Sequence, residues 1–153
     1  MKNKELIKPK LLHQCMELID ARLKVSQQSI LDIQESLNSE TKSSAGDKHE
    51  TGRAMLQLER EKAGQQLAEL ERTKAVLSKI DPNSSPKIIG LGSVVFTDKG
   101  NYFIAISLGE LNIEDMAFYA ISAATPIGQL LMGKQVGDNF VFRGTQFNII
   151  GVL

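Results

Sequence analysis

The sequence predicts an α+β protein: an N-terminal antiparallel helical hairpin followed by a small antiparallel β-sheet domain with one short helix. The six phenylalanines and two tyrosines all lie after residue 80, as do nine of the twelve glycines. Residues 81–86 contain two prolines, which disfavour helix in the residues before them, and are typical of a linker. We therefore expect a hairpin over residues 1–80, a linker over residues 81–86 and a second domain over residues 87–153.

The hairpin is predicted from apolar residues that alternate at spacings of four and three, the pattern of a heptad seam. One seam consists of Leu12, Met16, Ile19, Leu23, Ser26, Ile30, Ile33 and Leu37. The other consists of Leu56, Arg60, Ala63, Leu67, Leu70, Lys74 and Leu77, and its two cations interrupt it. Loop-forming residues separate the seams, so the tip is expected at about residues 39–49.

Two roles are open for such a hairpin. Each arm has about 28 residues and would be roughly 42 Å long, so a hairpin without a third helix would protrude and could reach into a partner. A coiled coil that dimerises has the same periodicity, and the pattern alone does not distinguish the two.

The second half alternates apolar and polar residues, which indicates strands. Five are predicted, over residues 93–97, 102–106, 118–122, 139–142 and 146–150. Two pairs of them flank short turns and form hairpins, the tighter one at Arg143-Gly144-Thr145. Thr125 as N-cap, Pro126 in the first turn and Gly133 at the end predict one short helix.

Composition excludes several classes of protein. Eighteen basic residues balance eighteen acidic ones, so net charge does not favour non-specific binding to nucleic acid or membranes. One cysteine, Cys15, and two histidines exclude an internal disulfide and most zinc or iron–sulfur centres. Cys15 lies beside the first seam, where a thiol is usually inert packing. No apolar run is long enough to cross a membrane, so we expect a soluble protein of the reducing cytoplasm.

The most informative cluster is Gly46-Asp47-Lys48-His49-Glu50, at the predicted tip. At the start of a helix Asp47 and Glu50 lie on one face, and two carboxylates can supply oxygen ligands to Mg²⁺. The same spacing is that of a capping box, with Asp47 as N-cap, and the two roles are compatible. Lys48 and Arg53 are candidates for contact with phosphates brought to the tip.

This motif, between two heptad arms, resembles the Gly-Asp-x-x-Glu tip of the bacterial Gre-type transcript cleavage factors. Residues 121–128 (ISAATPIG) and 130–138 (LLMGKQVGD) resemble the Ser-Pro-Ile-(Gly/Ala) and Leu-x-Gly-Lys-x-x-Gly-Asp stretches of that family's C-terminal domain. Residues 89–95 resemble its first strand. The likeness runs from about residue 10 to the C-terminus and preserves the order of the motifs.

The resemblance implies a coiled-coil hairpin and an FKBP-like C-terminal domain. It also implies an accessory factor that binds RNA polymerase near the nascent RNA 3′ end, rather than an enzyme. Asp47 and Glu50 would help hold Mg²⁺ in the polymerase active site during cleavage of backtracked RNA. Thr125, Pro126 and Ile127 would form the docking surface. The factor would act as a monomer, have no cofactor of its own and bind no membrane.

An alternative is a regulator that occupies the polymerase channel without stimulating cleavage. The family usually continues after the glutamate with Asn-Ala-Glu-Tyr, whereas this chain has Thr51-Gly52-Arg53-Ala54. Gly52 in place of an acid makes the predicted tip less acidic and locally less helical.

Overall fold

The protein has an α+β fold, as the sequence predicts. The computed structural model describes the backbone of residues 4–42 and 47–153, and the side chains of residues 4–39 and 51–153. Helices are α1 (Ile7–Lys42, after a 3-10 turn at Lys4–Leu6), α2 (Asp47–Ser78) and α3 (Pro126–Leu131). Strands are β1 (Val94–Thr97), β2 (Asn101–Ile104), β3 (Gly109–Ile113), β4 (Met116–Ile121), β5 (Asn139–Phe142) and β6 (Thr145–Val152).

The chain divides into two compact units. The helical unit is Leu18–Lys74 and contains most of α1 and α2. The sheet unit contains Ala75–Leu153 together with the chain up to Glu17, so the first turns of α1 and the last residues of α2 belong to it.

In the helical unit the first seam is confirmed. Between residues 18 and 39, only six positions of α1 are buried or half-buried: Ile19, Leu23, Ser26, Ile30, Ile33 and Leu37. These are the predicted seam members of that stretch, spaced four, three, four, three and four. The second seam is buried or half-buried at every predicted position, including Arg60 and Lys74.

Two contacts between α1 and α2 within this unit fix the register of one helix against the other. Near the start of the unit Asp20 pairs with Lys74 (2.7 Å between Oδ1 and Nζ). Near the other end Arg53 donates a hydrogen bond to the Leu37 carbonyl oxygen (3.3 Å). Early residues of α1 therefore face late residues of α2, and late residues face early ones.

The sheet has six strands in the order β3-β4-β2-β1-β6-β5. Its pairs are antiparallel except β2 with β4, which run parallel, so the expectation of a purely antiparallel sheet is wrong. The five predicted strands are present, and β3 is an additional one. β3 forms a hairpin with β4 and lies at the edge, so β4 returns beside β2 in the parallel sense.

One face of the sheet packs against α3. Its cluster of buried residues is Ile89, Val95, Ile104, Leu131, Phe140, Phe147 and Ile149. The neighbouring residues along the strands, such as Val94 and Phe103, point to the other face and are also fully buried. Within the same unit α1 lies beside the β3–β4 hairpin, since Gln14 donates to the Asn112 carbonyl oxygen (3.1 Å) and Lys10 pairs with Glu114 (2.8 Å).

Local signals for the tight hairpin and the short helix are confirmed. The β5–β6 turn consists of Arg143 and Gly144, with φ of 51° and 79°. Positive φ at both positions is typical of a type I′ turn, which matches the twist of the strands it joins. α3 has Thr125 as its N-cap and Pro126 in its first turn, and Gly133 after it has φ of 82°.

Candidate functional site

The predicted tip motif stands where one long helix ends and the next begins. α1 ends at Lys42 and α2 begins at Asp47, so Asp47, Lys48 and Glu50 occupy the first turn of α2. Their side chains, and residues 43–46, lie outside the described residues. The metal-holding role of Asp47 and Glu50 and the phosphate contact of Lys48 therefore stay predictions.

Arg53 has a position that sequence reasoning missed. It is half-buried and lies three residues before Leu56, so it continues the spacing of the second seam toward the tip. Its guanidinium donates to the Leu37 carbonyl oxygen on α1. Arg53 thus links the two helices six residues, about 1.7 turns, after Asp47. Its proposed contact with phosphate stays a prediction.

The predicted docking residues differ in what their side chains do. The Thr125 hydroxyl donates to the Ser122 carbonyl oxygen (2.7 Å) and accepts from the Gly128 amide (3.1 Å), so it caps α3. Ile127 is half-buried and packs on the core cluster. Pro126 is the exposed member of the three, and its ring fixes the backbone angle at the start of α3.

Gly128 is needed for this loop, although it was not predicted as a site residue. A Cβ atom there would lie 2.3 Å from the Ser122 carbonyl oxygen and 2.8 Å from the Thr125 hydroxyl oxygen. Any side chain would therefore displace the capping threonine and the loop that carries Pro126. The Pro-Ile-Gly sequence is the signal that could have identified it.

Cys15 is fully buried in the sheet unit, which confirms that it packs in the interior. Burial raises the pKa of its thiol from an ordinary value of 9.0 to about 11. The thiolate needed for nucleophilic attack is thus disfavoured at neutral pH.

Lys8 is the most buried cation among the residues of the sheet unit that the structure describes. Its ammonium donates to the Ser84 carbonyl oxygen, which joins α1 to the segment after α2. Burial lowers the pKa of Lys8, and the nearby Asp81 carboxylate partly offsets that shift. This lysine has a structural role, because its nitrogen is engaged with backbone.

Within the described ranges, residues 4–39 and 51–153, no three His, Cys, Asp or Glu side chains are grouped as metal ligands. None of the helices in the described part of the chain is both long and apolar enough to cross a membrane.

A scan against protein-family models finds no match to this chain, and a search of curated proteins finds none either. The resemblance to the Gre-type factors therefore stays a prediction.

Proposed function

We propose that this protein is a transcription elongation factor that binds RNA polymerase and stimulates cleavage of backtracked RNA by the polymerase's own active site. The observation that carries the proposal is the place of the Asp-x-x-Glu motif. Asp47 is the first residue of α2, so Asp47 and Glu50 stand at the junction of two long helices. The motifs in residues 121–138 follow in the order expected from the resemblance.

We infer that the helical unit is an antiparallel coiled-coil hairpin and that the sheet belongs to an FKBP-like domain. The heptad spacing of half-buried positions supports the first inference, because a 3.5-residue repeat keeps one narrow stripe facing the other helix. A mixed six-stranded sheet with one short helix against one face is compatible with the second.

In this proposal the two units have different tasks. The loop at Thr125, Pro126 and Ile127 docks at the rim of the polymerase, and the hairpin enters the secondary channel. Asp47 and Glu50 then add carboxylate oxygens to the Mg²⁺ site that the polymerase provides. Mg²⁺ in such sites activates a water and neutralises charge that develops on the phosphate. The protein acts as a monomer and brings no cofactor.

A second candidate is a regulator that occupies the channel without stimulating cleavage. The observation in its favour is Arg53, whose guanidinium is directed to the Leu37 carbonyl oxygen and therefore stabilises the arms. A tip in which the carboxylates only cap α2 would still fit such a regulator.

The test is RNA cleavage in backtracked elongation complexes of the cognate polymerase. Wild-type protein is expected to accelerate cleavage. Asp47→Asn and Glu50→Gln remove one negative charge each with little change in shape, and both are expected to abolish the acceleration while polymerase binding is kept. Glu59→Gln, an exposed acid nine residues after Glu50 on α2, is the matched control and should behave as wild type.

The two candidates give different results in this assay. Acceleration that survives in both variants would refute the assigned role of the carboxylates. Binding to polymerase without acceleration, together with competition against a known cleavage factor, would instead establish the non-cleaving regulator. Absence of polymerase binding would refute both.

A further inference from the structure

An open groove runs between α1 and α2 within the helical unit, with a volume of about 660 Å³. Ser26 and Ala63, one from each helix, form its floor. They are the two smallest members of the seams, so at this level the side chains leave a hollow that larger residues fill elsewhere.

The rim of the groove on α1 carries exposed apolar side chains. Val25 is 72% exposed and Leu18 is 41% exposed. Seven residues separate them, so they lie two turns apart on the same face of the helix. This face therefore carries an exposed apolar side chain, Val25, beside the hollow that Ser26 and Ala63 leave.

The two rims also carry opposite charges. Arg22, on the α1 rim, makes no ion pair with any residue that the structure describes. Glu69, on the α2 rim, pairs within its own helix with Arg72 (2.6 Å), and both side chains are largely exposed. A partner surface that places an anion at Arg22 and a cation near Glu69 would complement the groove.

The groove itself is such a surface. Two copies can face each other across a two-fold axis that is parallel to the groove. The α1 rim of each copy then faces the α2 rim of the other. The Asp20–Lys74 and Leu37–Arg53 contacts fix the register of the two helices, so Val25 lies opposite the partner's Gln66. At the same level Arg22 meets the partner's Glu69.

We propose that the groove binds the same groove of a second copy of this chain, with the two helical units parallel. The contact extends over about two helical turns of each helix, and so short a contact buries less than the roughly 800 Å² per partner of a stable complex. The dimer is therefore weak and reversible, with a dissociation constant between about 10 µM and about 1 mM.

Dimerisation has a consequence that rests on the proposed function. If a single hairpin enters the polymerase channel, the dimer presents two side by side and cannot insert. The dimer is then the inactive form, and the monomer that dissociates from it is the one that acts. Protein concentration would set the ratio of the two.

The test is sedimentation equilibrium of the full chain from about 1 µM to about 1 mM. Wild type is expected to pass from monomer to dimer. Val25→Glu should weaken the association at least about tenfold, because it places a carboxylate opposite the partner's Gln66 and beside its Glu69, where like charges repel. Leu31→Glu is the control: Leu31 is 62% exposed and does not line the groove, so its substitution should leave the association unchanged.

Charge reversal tests the contact between the rims. Arg22→Glu should weaken the dimer, and Arg22→Glu combined with Glu69→Arg should restore it. A protein that stays monomeric throughout, or a dimer indifferent to Val25→Glu, would overturn the proposal. Because polymerase takes no part, this result is independent of whether the protein stimulates cleavage.

Cross-linking tests the parallel arrangement. A chain with Val25→Cys mixed with a chain with Gln66→Cys should form a disulfide between the two, since α1 of one copy faces α2 of the other. A preferred disulfide between two Val25→Cys chains would contradict this arrangement. The native Cys15 is buried and does not compete.

Discussion

The helical unit and the sheet unit differ in how much apolar surface they bury. Ten Val, Leu, Ile and Phe side chains of the described residues are almost completely buried, and Ile19 is the only one of them in Leu18–Lys74. The others, which include Phe103, Phe118 and Leu77, belong to the sheet unit. The helical unit relies on one stripe of mostly half-buried residues. We therefore expect the sheet unit to dominate the free energy of unfolding and the helical unit to open locally at lower cost.

The largest expected effect comes from the sheet core. Phe118→Ala should lower the free energy of unfolding by about 3–5 kcal/mol, because Phe118 is fully buried and its removal leaves a cavity. Ile33→Ala in the first seam should cost only about 1–2 kcal/mol, since Ile33 is half-buried. Denaturant titration measures both. Equal losses of unfolding free energy in the two variants would contradict the expectation that the sheet unit dominates the stability.

The next effect concerns Cys15. The pKa of its thiol is about 11 in the folded protein and 9.0 ordinarily, so the folded state holds the proton more tightly. The contribution of the Cys15 thiol to the free energy of unfolding is fully present below pH 9 and is lost as pH rises through 11. The loss reaches about 2–3 kcal/mol, at about 1.4 kcal/mol per pH unit.

The measurement is the free energy of unfolding between pH 8 and about pH 11 for wild type and Cys15→Val. Lys8 has the opposite effect. Because its pKa is lowered in the folded protein, the free energy of unfolding rises as pH approaches 10.5. That contribution is common to both proteins, so their difference isolates Cys15. Identical pH slopes would contradict the account of a buried thiol.

The smallest effect is in the helical unit. Arg53→Met keeps an apolar chain on the seam but removes the hydrogen bond to the Leu37 carbonyl oxygen, at a cost of about 1 kcal/mol. Amide hydrogen exchange should quicken near Leu37 and Leu56 and stay unchanged in β1 and β2. Faster exchange in the sheet would show that the units do not open separately.

Sequence patterns predicted what depends on local spacing. The seams followed from the 3.5-residue repeat, and Thr125 and Pro126 located α3. Arg53 was missed as a seam member because no apolar residue continues the repeat beyond it, whereas Arg60 and Lys74 lie between apolar members. β3 was missed because Gly109–Ile113 has two apolar residues and lies at the sheet edge.

Other features depend on pairing between distant segments. The parallel pairing of β2 with β4 follows from β3 occupying the edge, which no local pattern encodes. The groove exists because Ser26 lies at the level of Ala63, and that follows only from the register of the two helices. For the candidate site, sequence motifs identified Asp47 and Glu50, whereas the need for glycine at position 128 is visible only in the structure, where a Cβ atom would lie 2.3 Å from the Ser122 carbonyl oxygen.

We propose that the sheet unit docks on RNA polymerase and that the helical unit delivers the carboxylates of Asp47 and Glu50. The most direct measurement is cleavage of backtracked RNA by wild-type protein in the presence of increasing Asp47→Asn/Glu50→Gln double variant. The double variant is expected to bind as well as wild type and to halve the stimulated rate at equal concentration. No competition by a folded double variant, or stimulation by the variant itself, would contradict it.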